Sequence, residues 1–390
     1  MIYLDYAATS PLNPRALEAM LPFLRQDFGN PSAAYATARH AQKAIDDARK
    51  AVGEVLGCRT SDIVFTSGGT ESINTALKGV AFAMRKSGAG NHIVTTEVEH
   101  DAVLHTCNYL EQFGFEITTL GVDRLGRVDP EAVARAITDR TVLVSVMQAN
   151  NEVGTVQPVD EIATLVAERG RQLRKRIPLH CDSVQAPGAL PVRVDDLGVD
   201  LLSLSGHKFG GPKGTGVLFV RRGIPFVSQL TGGGQERQRR AGTENVAGIV
   251  GQAVALTAAE AARPVYTEHT SRLSERLIEA LVQRIPDSLL TGDPANRLSS
   301  NVSISFRGVR GDQLVRALDK EGIAASAGAA CGSSTWEPSH VLLAMGLSMP
   351  DVVGGLRLSL SLDTTDAEID QTIATLPRVI DQLRPIAAAG

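Results

Sequence analysis

The chain has 390 residues, of which 43% are hydrophobic and 21% charged, and its net charge is −4. This length exceeds what one hydrophobic core normally supports, so two domains are expected. The small negative charge argues against a general nucleic-acid or membrane binder. The N-terminal stretch MIYLDYAATSPLNP shows no secretory pattern, and the widely spaced cysteines form no CxxC pair. We therefore expect a cytoplasmic protein without a disulfide framework or a metal site.

Short apolar runs alternate with helical patterns between about residues 60 and 220. They are unbroken and rich in Val, Ile, Leu or Thr, which is typical of strands buried on both faces. The predicted strands are DIVFTS (62–67), HIVTTE (92–97), FEITTL (115–120), TVLVSVM (141–147), IPLHCD (177–182) and VDLLSLS (199–205). Helices are predicted between them at about 70–87, 100–113, 130–138 and 158–170. This alternation predicts an α/β fold with a mostly parallel sheet and helices on both faces.

After residue 257 the regular alternation of short strands and helices ends, and the pattern predicts a smaller α+β domain. Its predicted elements are a long polar helix (about 257–285), the strand NVSISF (301–306), a helix (311–321), the strand LRLSLSL (356–362) and a last helix (366–384). We expect a large domain of residues 15–256 and a small domain of residues 1–14 and 257–390. The basic run RGRQLRKR (169–176) is interpreted as a solvated helix end rather than a polyanion contact.

In TSGGTES (66–72), a helix opens at Gly69 and Thr70, directly after the predicted strand DIVFTS (62–67). Ligands of parallel α/β sheets lie beyond the carboxyl ends of the strands. Free backbone N–H groups and the helix dipole at such a point suit a phosphate group. An ordinary capping box, in which Thr70 or Ser67 acts with Glu71, is the alternative interpretation.

Two further strand ends carry charged side chains. Asp182, in HCDSVQ, is costly to bury unless it is paired, either with a protonated ring nitrogen or in a structural salt bridge. Lys208, in SGHK, has Ser205 and His207 beside it as possible donors. A desolvated lysine becomes a nucleophilic amine that can form a Schiff base. A phosphate site, a partner for a ring nitrogen and such a lysine together point to pyridoxal phosphate.

Other strand ends supply candidates for contacts with the same cofactor or its substrate. His100, in TTEVEHDAV, is placed to lie over a flat ring, although a helix cap is the alternative. Asn151 and Glu152, in QANNEVGT, could contact a substrate or cofactor oxygen, and Gln185 could donate to the cofactor's phenolate oxygen. Arg357 lies in an apolar strand, where a guanidinium requires an anion such as a bidentate substrate carboxylate.

Cys331 lies among small residues in ASAGAACGSSTWEPSHVL, which predicts an exposed thiol and a possible nucleophile. A tolerated surface cysteine is the alternative for this segment taken alone. Cys58, Cys107 and Cys181 are interpreted as core residues.

These motifs resemble the pyridoxal-phosphate cysteine desulfurases of the NifS/IscS type, within the class V aminotransferase superfamily. The resemblance covers essentially the whole chain, through YLDYAATSP, FGNPSA, FTSGGTES, EVEHDAV, ANNEVGT, HCDSVQAPG, SGHKFGGPKG, GGGQERQRRAGTEN, AGAACGSSTWEPSHVL and LRLSLS. It implies a fold-type I enzyme whose small domain carries the catalytic cysteine loop. Within that loop, Ala327 and Ala329 stand where serines are usual, and Gly332 stands where a threonine is usual.

The resemblance also implies a role for each candidate in holding the cofactor. Lys208 would bind it covalently, Asp182 would pair with the pyridine nitrogen, Gln185 would contact the phenolate oxygen, and His100 would stack on the ring. The phosphate group would be held by Gly69, Thr70, Ser205 and His207, and by Thr243 of the neighbouring subunit in a homodimer.

The implied activity is the conversion of L-cysteine to L-alanine. Asn151, which would also touch the cofactor, and Arg357 would bind the substrate carboxylate. Cys331 would take the sulfur as a persulfide, while His100 and Lys208 would transfer protons. The sulfur would pass to acceptor proteins, such as an iron–sulfur scaffold or another sulfur carrier. A selenocysteine lyase, a class V aminotransferase and an inactive scaffold for sulfur transfer are the alternatives.

Overall fold

The computed structural model describes residues 1–328 and 337–387. Its strands are β1 (Ile2–Tyr3), β2 (Ile63–Thr66), β3 (His92–Thr96), β4 (Glu116–Leu120), β5 (Thr141–Ser145), β6 (Leu179–Asp182), β7 (Leu201–Ser205), β8 (Gly216–Val220), β9 (Ser288–Leu290), β10 (Asn301–Phe306), β11 (Ile323–Ala324), β12 (Ser326–Ala327) and β13 (Gly355–Ser359).

The helices lie between these strands, and the last one follows β13. They are α1 (Pro14–Arg25), α2 (Ala36–Leu56), α3 (Gly69–Lys86), α4 (Asp101–Glu111), α5 (Pro130–Ala136), α6 (Val159–Gln172), α7 (Gln235–Gln238), α8 (Val246–Arg284), α9 (Gly311–Lys320), α10 (His340–Ala344), α11 (Met349–Val353) and α12 (Asp366–Ala387). The basic run 169–176 spans the end of α6, and it was correctly predicted as a helix end.

The main sheet has the strand order β2-β8-β7-β6-β5-β3-β4. Strands β3 to β7 pair in parallel, whereas β8 runs antiparallel to both β2 and β7. The α/β fold with a mostly parallel sheet is thereby confirmed, and all the strands predicted between residues 60 and 220 are present within a few residues. Strand β8 and the helices α1 and α2 were not predicted.

The side chains of β8 show why its sequence is apolar throughout. Successive strand residues point to opposite faces of a sheet. Val217 and Phe219 pack on one face with α2 and the start of α8, and Leu218 and Val220 pack on the other with α3 and α4. Every residue of β8 is buried. Helices therefore cover the central sheet on both sides, which leaves its strand ends as the accessible edge.

A second, antiparallel sheet has the order β12-β13-β10-β9 and packs against α8, α9 and α12 around its own apolar cluster. Strands β1 and β11 pair in parallel beside it. Helix α8 begins at Val246 rather than near residue 257, so one continuous helix crosses the expected domain boundary at 256/257. The separate apolar clusters support two domains, and we keep the division into 15–256 and the remainder as a proposal.

Candidate active site

A cavity of about 290 Å³ lies at the carboxyl edge of the parallel strands. Ten of the residues proposed from the sequence line it together: Gly69, Thr70, His100, Asn151, Asp182, Gln185, Ser205, His207, Lys208 and Arg357. Nine of them meet here because parallel strands present their carboxyl ends at one edge, whereas Arg357 comes from β13 of the second sheet.

Lys208 ends the 3₁₀ turn that follows β7, with its amine inside the cavity. Its Nζ donates to the carbonyl oxygens of Ala7 at 2.6 Å and Ala8 at 2.9 Å. Burial, and secondarily the positive charge of Arg357, lower the pKa of Lys208 to about 8. About a tenth of the amine is therefore neutral, and nucleophilic, at pH 7.

Asp182 ends β6 and is 5% exposed. Its Oδ1 accepts a hydrogen bond from the backbone N–H of Val184 at 3.0 Å. Burial raises the pKa of Asp182, and the nearby His100 and Lys208 oppose that rise. Within residues 1–328 and 337–387 no cation forms a salt bridge with it, so the structural alternative is not found. A buried carboxylate without an ion-pair partner fits a protonated ring nitrogen in the cavity.

The turn at Gly68 leads into α3, whose first residue is Gly69. Gly68 has φ 155° and offers no side-chain cap, so the first backbone N–H groups of the helix stay available to a ligand. A Cβ on Gly69 would lie 2.9 Å from Cγ2 of Val184 and 3.3 Å from Cβ of Ser205, so a side chain does not fit there. The capping contact between Ser67 and Glu71 is present, since Oε2 of Glu71 accepts from the N–H of Ser67 at 2.8 Å.

His207 and His100 each contribute an imidazole to the lining of the cavity. Nδ1 of His207 lies 3.2 Å from Oγ1 of Thr9, and burial, with Lys208 and Lys213, lowers the pKa of His207 to about 4. His207 is therefore a neutral hydrogen-bonding group. His100 immediately precedes α4 as its N-cap, and its Nδ1 accepts from the N–H of Ala102 at 3.0 Å. It is both a helix cap and a cavity-lining residue, and its neutral form carries the proton on Nε2.

Arg357 projects from β13 into the cavity with 8% of its surface exposed. One terminal nitrogen donates to Oδ1 of Asp5 at 2.7 Å, and the other donates to the carbonyl oxygen of Asn151 at 2.9 Å. Its Nε is buried without a hydrogen-bond partner. The guanidinium thus has one anion from its own chain and one unsatisfied donor, and the substrate carboxylate remains a prediction.

Several candidates lie elsewhere. Glu152 does not line the cavity, and its Oε2 accepts from Oγ of Ser339 at 2.5 Å. Thr243 is exposed and does not reach the cavity of its own chain. Cys331 lies outside the described residues.

The remaining cysteines are free thiols. Cys107 and Cys181 are buried as predicted, whereas Cys58 is only half-buried. Burial raises the pKa of all three thiols, to about 12 for Cys58 and Cys107, so none is a ready nucleophile.

The N-terminal segment supplies contacts that the individual residues did not predict. The carbonyls of Ala7 and Ala8 bind Lys208, Oδ1 of Asp5 binds Arg357, and the carbonyl of Ala7 also accepts from Nε2 of Gln185 at 3.1 Å. The motif YLDYAATSP marked this segment as part of the family resemblance, but it predicted no role for these residues. A contact made through a backbone carbonyl does not depend on residue type, so the sequence does not reveal it.

The donor set of the cavity fits pyridoxal phosphate. It combines an uncapped helix start, a buried carboxylate without a salt bridge, a lysine of lowered pKa and a buried guanidinium. No group of three or more possible metal ligands occurs among the described side chains. None of the helices in the described part of the chain is long and apolar enough to cross a membrane.

Comparisons with known proteins agree with this geometry. The profile of class V aminotransferases matches residues 2–372. The chain is 46% identical to the cysteine desulfurase IscS of Dictyoglomus turgidum, over 99% of this chain and 96% of the relative. Among solved structures, a NifS-like protein superposes with a TM-score of 0.91 at 36% identity, covering 98% of this chain and 100% of the other. SspA in complex with cysteine superposes with a TM-score of 0.79 at 37% identity, covering 93% and 99%.

Proposed function

Because the chain belongs to the class V aminotransferase family and is a pyridoxal-phosphate-dependent cysteine desulfurase within it, we propose that the cavity around Lys208 desulfurates L-cysteine. The reaction yields L-alanine and leaves the sulfur as a persulfide on Cys331. The observation that carries this proposal is the amine of Lys208, with its pKa near 8, in one cavity with the buried Asp182.

When bound, pyridoxal phosphate supplies an electron sink for the bonds at the substrate's α-carbon. We propose that Lys208 attaches it, that Asp182 holds a proton on its ring nitrogen, and that Gln185 donates to its phenolate oxygen. His100 would lie against the ring, with Asn151 beside it. The phosphate group would be held by Gly69, Thr70, Ser205 and His207.

The substrate carboxylate would be bound by Arg357 and Asn151. The unsatisfied Nε of Arg357 supports this assignment, and one structural relative, SspA, is described in complex with cysteine. Nζ of Lys208 would take the proton from the α-carbon, and Nε2 of His100 would serve as a second proton carrier.

Sulfur transfer requires a thiolate that can approach the substrate sulfur. The sulfur of Cys331 would form the new S–S bond as the substrate's C–S bond breaks. The carbon keeps the bonding electrons and is then protonated, so the products are alanine and the persulfide of Cys331. The burial and raised pKa values of Cys58, Cys107 and Cys181 support Cys331 in this role.

We further propose a homodimer that delivers the persulfide sulfur to an acceptor protein, such as an iron–sulfur scaffold or another sulfur carrier. The relatives named IscS support iron–sulfur assembly as the destination. The free thiols of Cys58, Cys107 and Cys181 support a reducing, cytoplasmic setting.

The decisive experiment replaces the sulfur acceptor alone. The variant Cys331→Ser should retain the yellow cofactor and its spectral response to cysteine, because neither depends on the thiol. Its alanine release should fall by at least about a hundredfold, because a hydroxyl cannot form a persulfide. Cys107→Ala is the matched control and should retain most activity. Alanine release by Cys331→Ser at the parent rate would instead support a lyase that needs no persulfide on Cys331, such as a selenocysteine lyase.

A further inference from the structure

Two carboxylates cover the free edge of β2, immediately before the turn into α3. Strand β2 is the edge strand of the main sheet. The N–H of Phe65 donates to Oε2 of Glu236 at 3.0 Å, and the N–H of Ser67 donates to Oε2 of Glu71 at 2.8 Å. Side chains thus replace a neighbouring strand as hydrogen-bond acceptors at this edge.

Glu71 lies in the first turn of α3, the helix start at which we propose that the phosphate group binds. It is the third residue of α3, directly after Gly69 and Thr70, which line the cavity. The negative charge of an acidic residue in the first turn interacts favourably with the helix dipole. The same negative charge opposes a bound phosphate dianion, so an unpaired carboxylate here would weaken the site.

Arg240 cancels that charge from a distant part of the chain. Its Nε donates to Oε1 of Glu71 at 2.9 Å, and a terminal nitrogen lies 3.4 Å from Oε2. The two side chains are only 23% and 16% exposed, so solvent screens the pair incompletely. Hydrogen bonding and the charge of Arg240 help to keep the pKa of Glu71 below its ordinary value despite burial.

We propose that Arg240 is a positioning residue for cofactor binding, which neutralises Glu71 and so lets that carboxylate fix the turn at Ser67 without repelling the phosphate. This inference rests on the proposed function, because the phosphate is that of pyridoxal phosphate. It predicts that removing the charge of Arg240 weakens the binding of pyridoxal phosphate, whereas removing the charge of Glu71 does not. If the ion pair served only to hold the fold together, either substitution would weaken binding equally.

The test compares the dissociation constants of pyridoxal phosphate and pyridoxal, titrated into full-length protein freed of cofactor. Arg240→Gln should weaken pyridoxal phosphate about tenfold, because Glu71 is left negative, and should leave pyridoxal, which lacks the phosphate, unchanged. Glu71→Gln should bind pyridoxal phosphate at least as tightly as the parent. The double variant should recover most of the loss, and Arg240→Lys should retain near-parent affinity.

Arg237→Gln is the matched control, since Arg237 is exposed on the same segment and donates to the carbonyl of Thr60 instead. Equal weakening by Arg240→Gln and Glu71→Gln, or equal weakening for both ligands, would overturn the proposal. A parent protein that binds no pyridoxal phosphate would instead overturn the proposed function. Thermal unfolding of each variant without cofactor identifies any that fails to fold, in which case Arg240→Lys and the double variant decide.

Discussion

At the scale of single residues, the lowered pKa of Lys208 has a consequence for cofactor loading. Only the neutral Nζ can attack an aldehyde, and burial disfavours the charged form. Burial comes first among the causes, and the positive charge of Arg357 adds to it, while Asp5 and Asp182 act in the opposite direction. The reactive fraction of the amine should therefore grow as the pH rises towards the pKa.

The rate at which cofactor-free, full-length protein captures pyridoxal phosphate should rise with pH and level off above about 8. Arg357→Met should move the midpoint to higher pH, because it removes a neighbouring cation that disfavours the protonated amine. Stopped-flow absorbance measures the capture rate at each pH. A rate that continues to rise steeply to pH values of about 10, where an ordinary lysine titrates, would contradict a lowered pKa.

At the scale of secondary-structure elements, the sequence was most informative where strands end. The apolar runs before Asp182 and Lys208 predicted buried strands, and the rule for parallel sheets then placed their polar ends together. Both side chains do line one cavity. Residue type and position along the chain were sufficient to predict the site here, because a parallel sheet brings the carboxyl ends of its strands together in space.

Other elements depend on contacts that have no local signal. The run GVLFV of β8 is apolar enough to be a buried strand, but nothing local states that it runs antiparallel between β2 and β7. The turn at α7 has positive φ angles at Glu236, Arg237 and Gln238, a conformation that their residue types do not favour. A buried ion pair between Glu236 and Arg49 of α2 holds this turn instead.

Removing one partner of that buried pair should destabilise the fold, because the other charge would stay buried alone. Arg49 and Glu236 make two hydrogen bonds, at 2.7 and 2.8 Å, with side chains 6% and 2% exposed. Glu236→Gln should lower the free energy of unfolding by about 3 kcal/mol, because it leaves Arg49 buried without a counter-ion. Denaturant-induced unfolding, followed by circular dichroism, measures the change.

An ion pair within α2, the helix that carries Arg49, provides the control. Lys43 and Asp47 also pair, but their side chains are 71% and 64% exposed. Asp47→Asn should therefore change the free energy of unfolding by less than about 0.5 kcal/mol. Equal effects of the two substitutions would show that burial does not determine the strength of the Arg49–Glu236 pair.

At the scale of the whole molecule, the cavity combines both parts of the chain. Lys208 and Asp182 come from the main sheet, whereas Arg357 comes from β13 of the second sheet. Contacts near the cavity join the two parts again, since Nε2 of His340 lies 3.0 Å from the carbonyl oxygen of Glu99. A substrate carboxylate bound by Arg357 would thus be positioned relative to Lys208 by the packing of the two sheets.

A second copy of the chain would supply the remaining cofactor contact. Thr243 is exposed, and it lies three residues beyond Arg240, whose pairing with Glu71 ties the segment to α3. In a homodimer, this segment could present its hydroxyl to the phosphate in the neighbouring subunit. Because the side chain is exposed in its own chain, its removal should affect cofactor binding more than folding.

Thr243→Ala should therefore weaken the binding of pyridoxal phosphate about ten- to a hundredfold, the loss of roughly one hydrogen bond to a charged group, and leave the unfolding midpoint of the cofactor-free protein unchanged. Dialysis of the holoenzyme followed by absorbance measures retention of the cofactor. Thr231→Ala, another exposed threonine in the preceding loop, should lose none. Sedimentation should give the mass of a dimer for the parent and both variants. A monomeric parent that retains its cofactor fully, or a Thr243→Ala variant that retains cofactor as well as Thr231→Ala, would exclude a contact from the partner subunit through this residue.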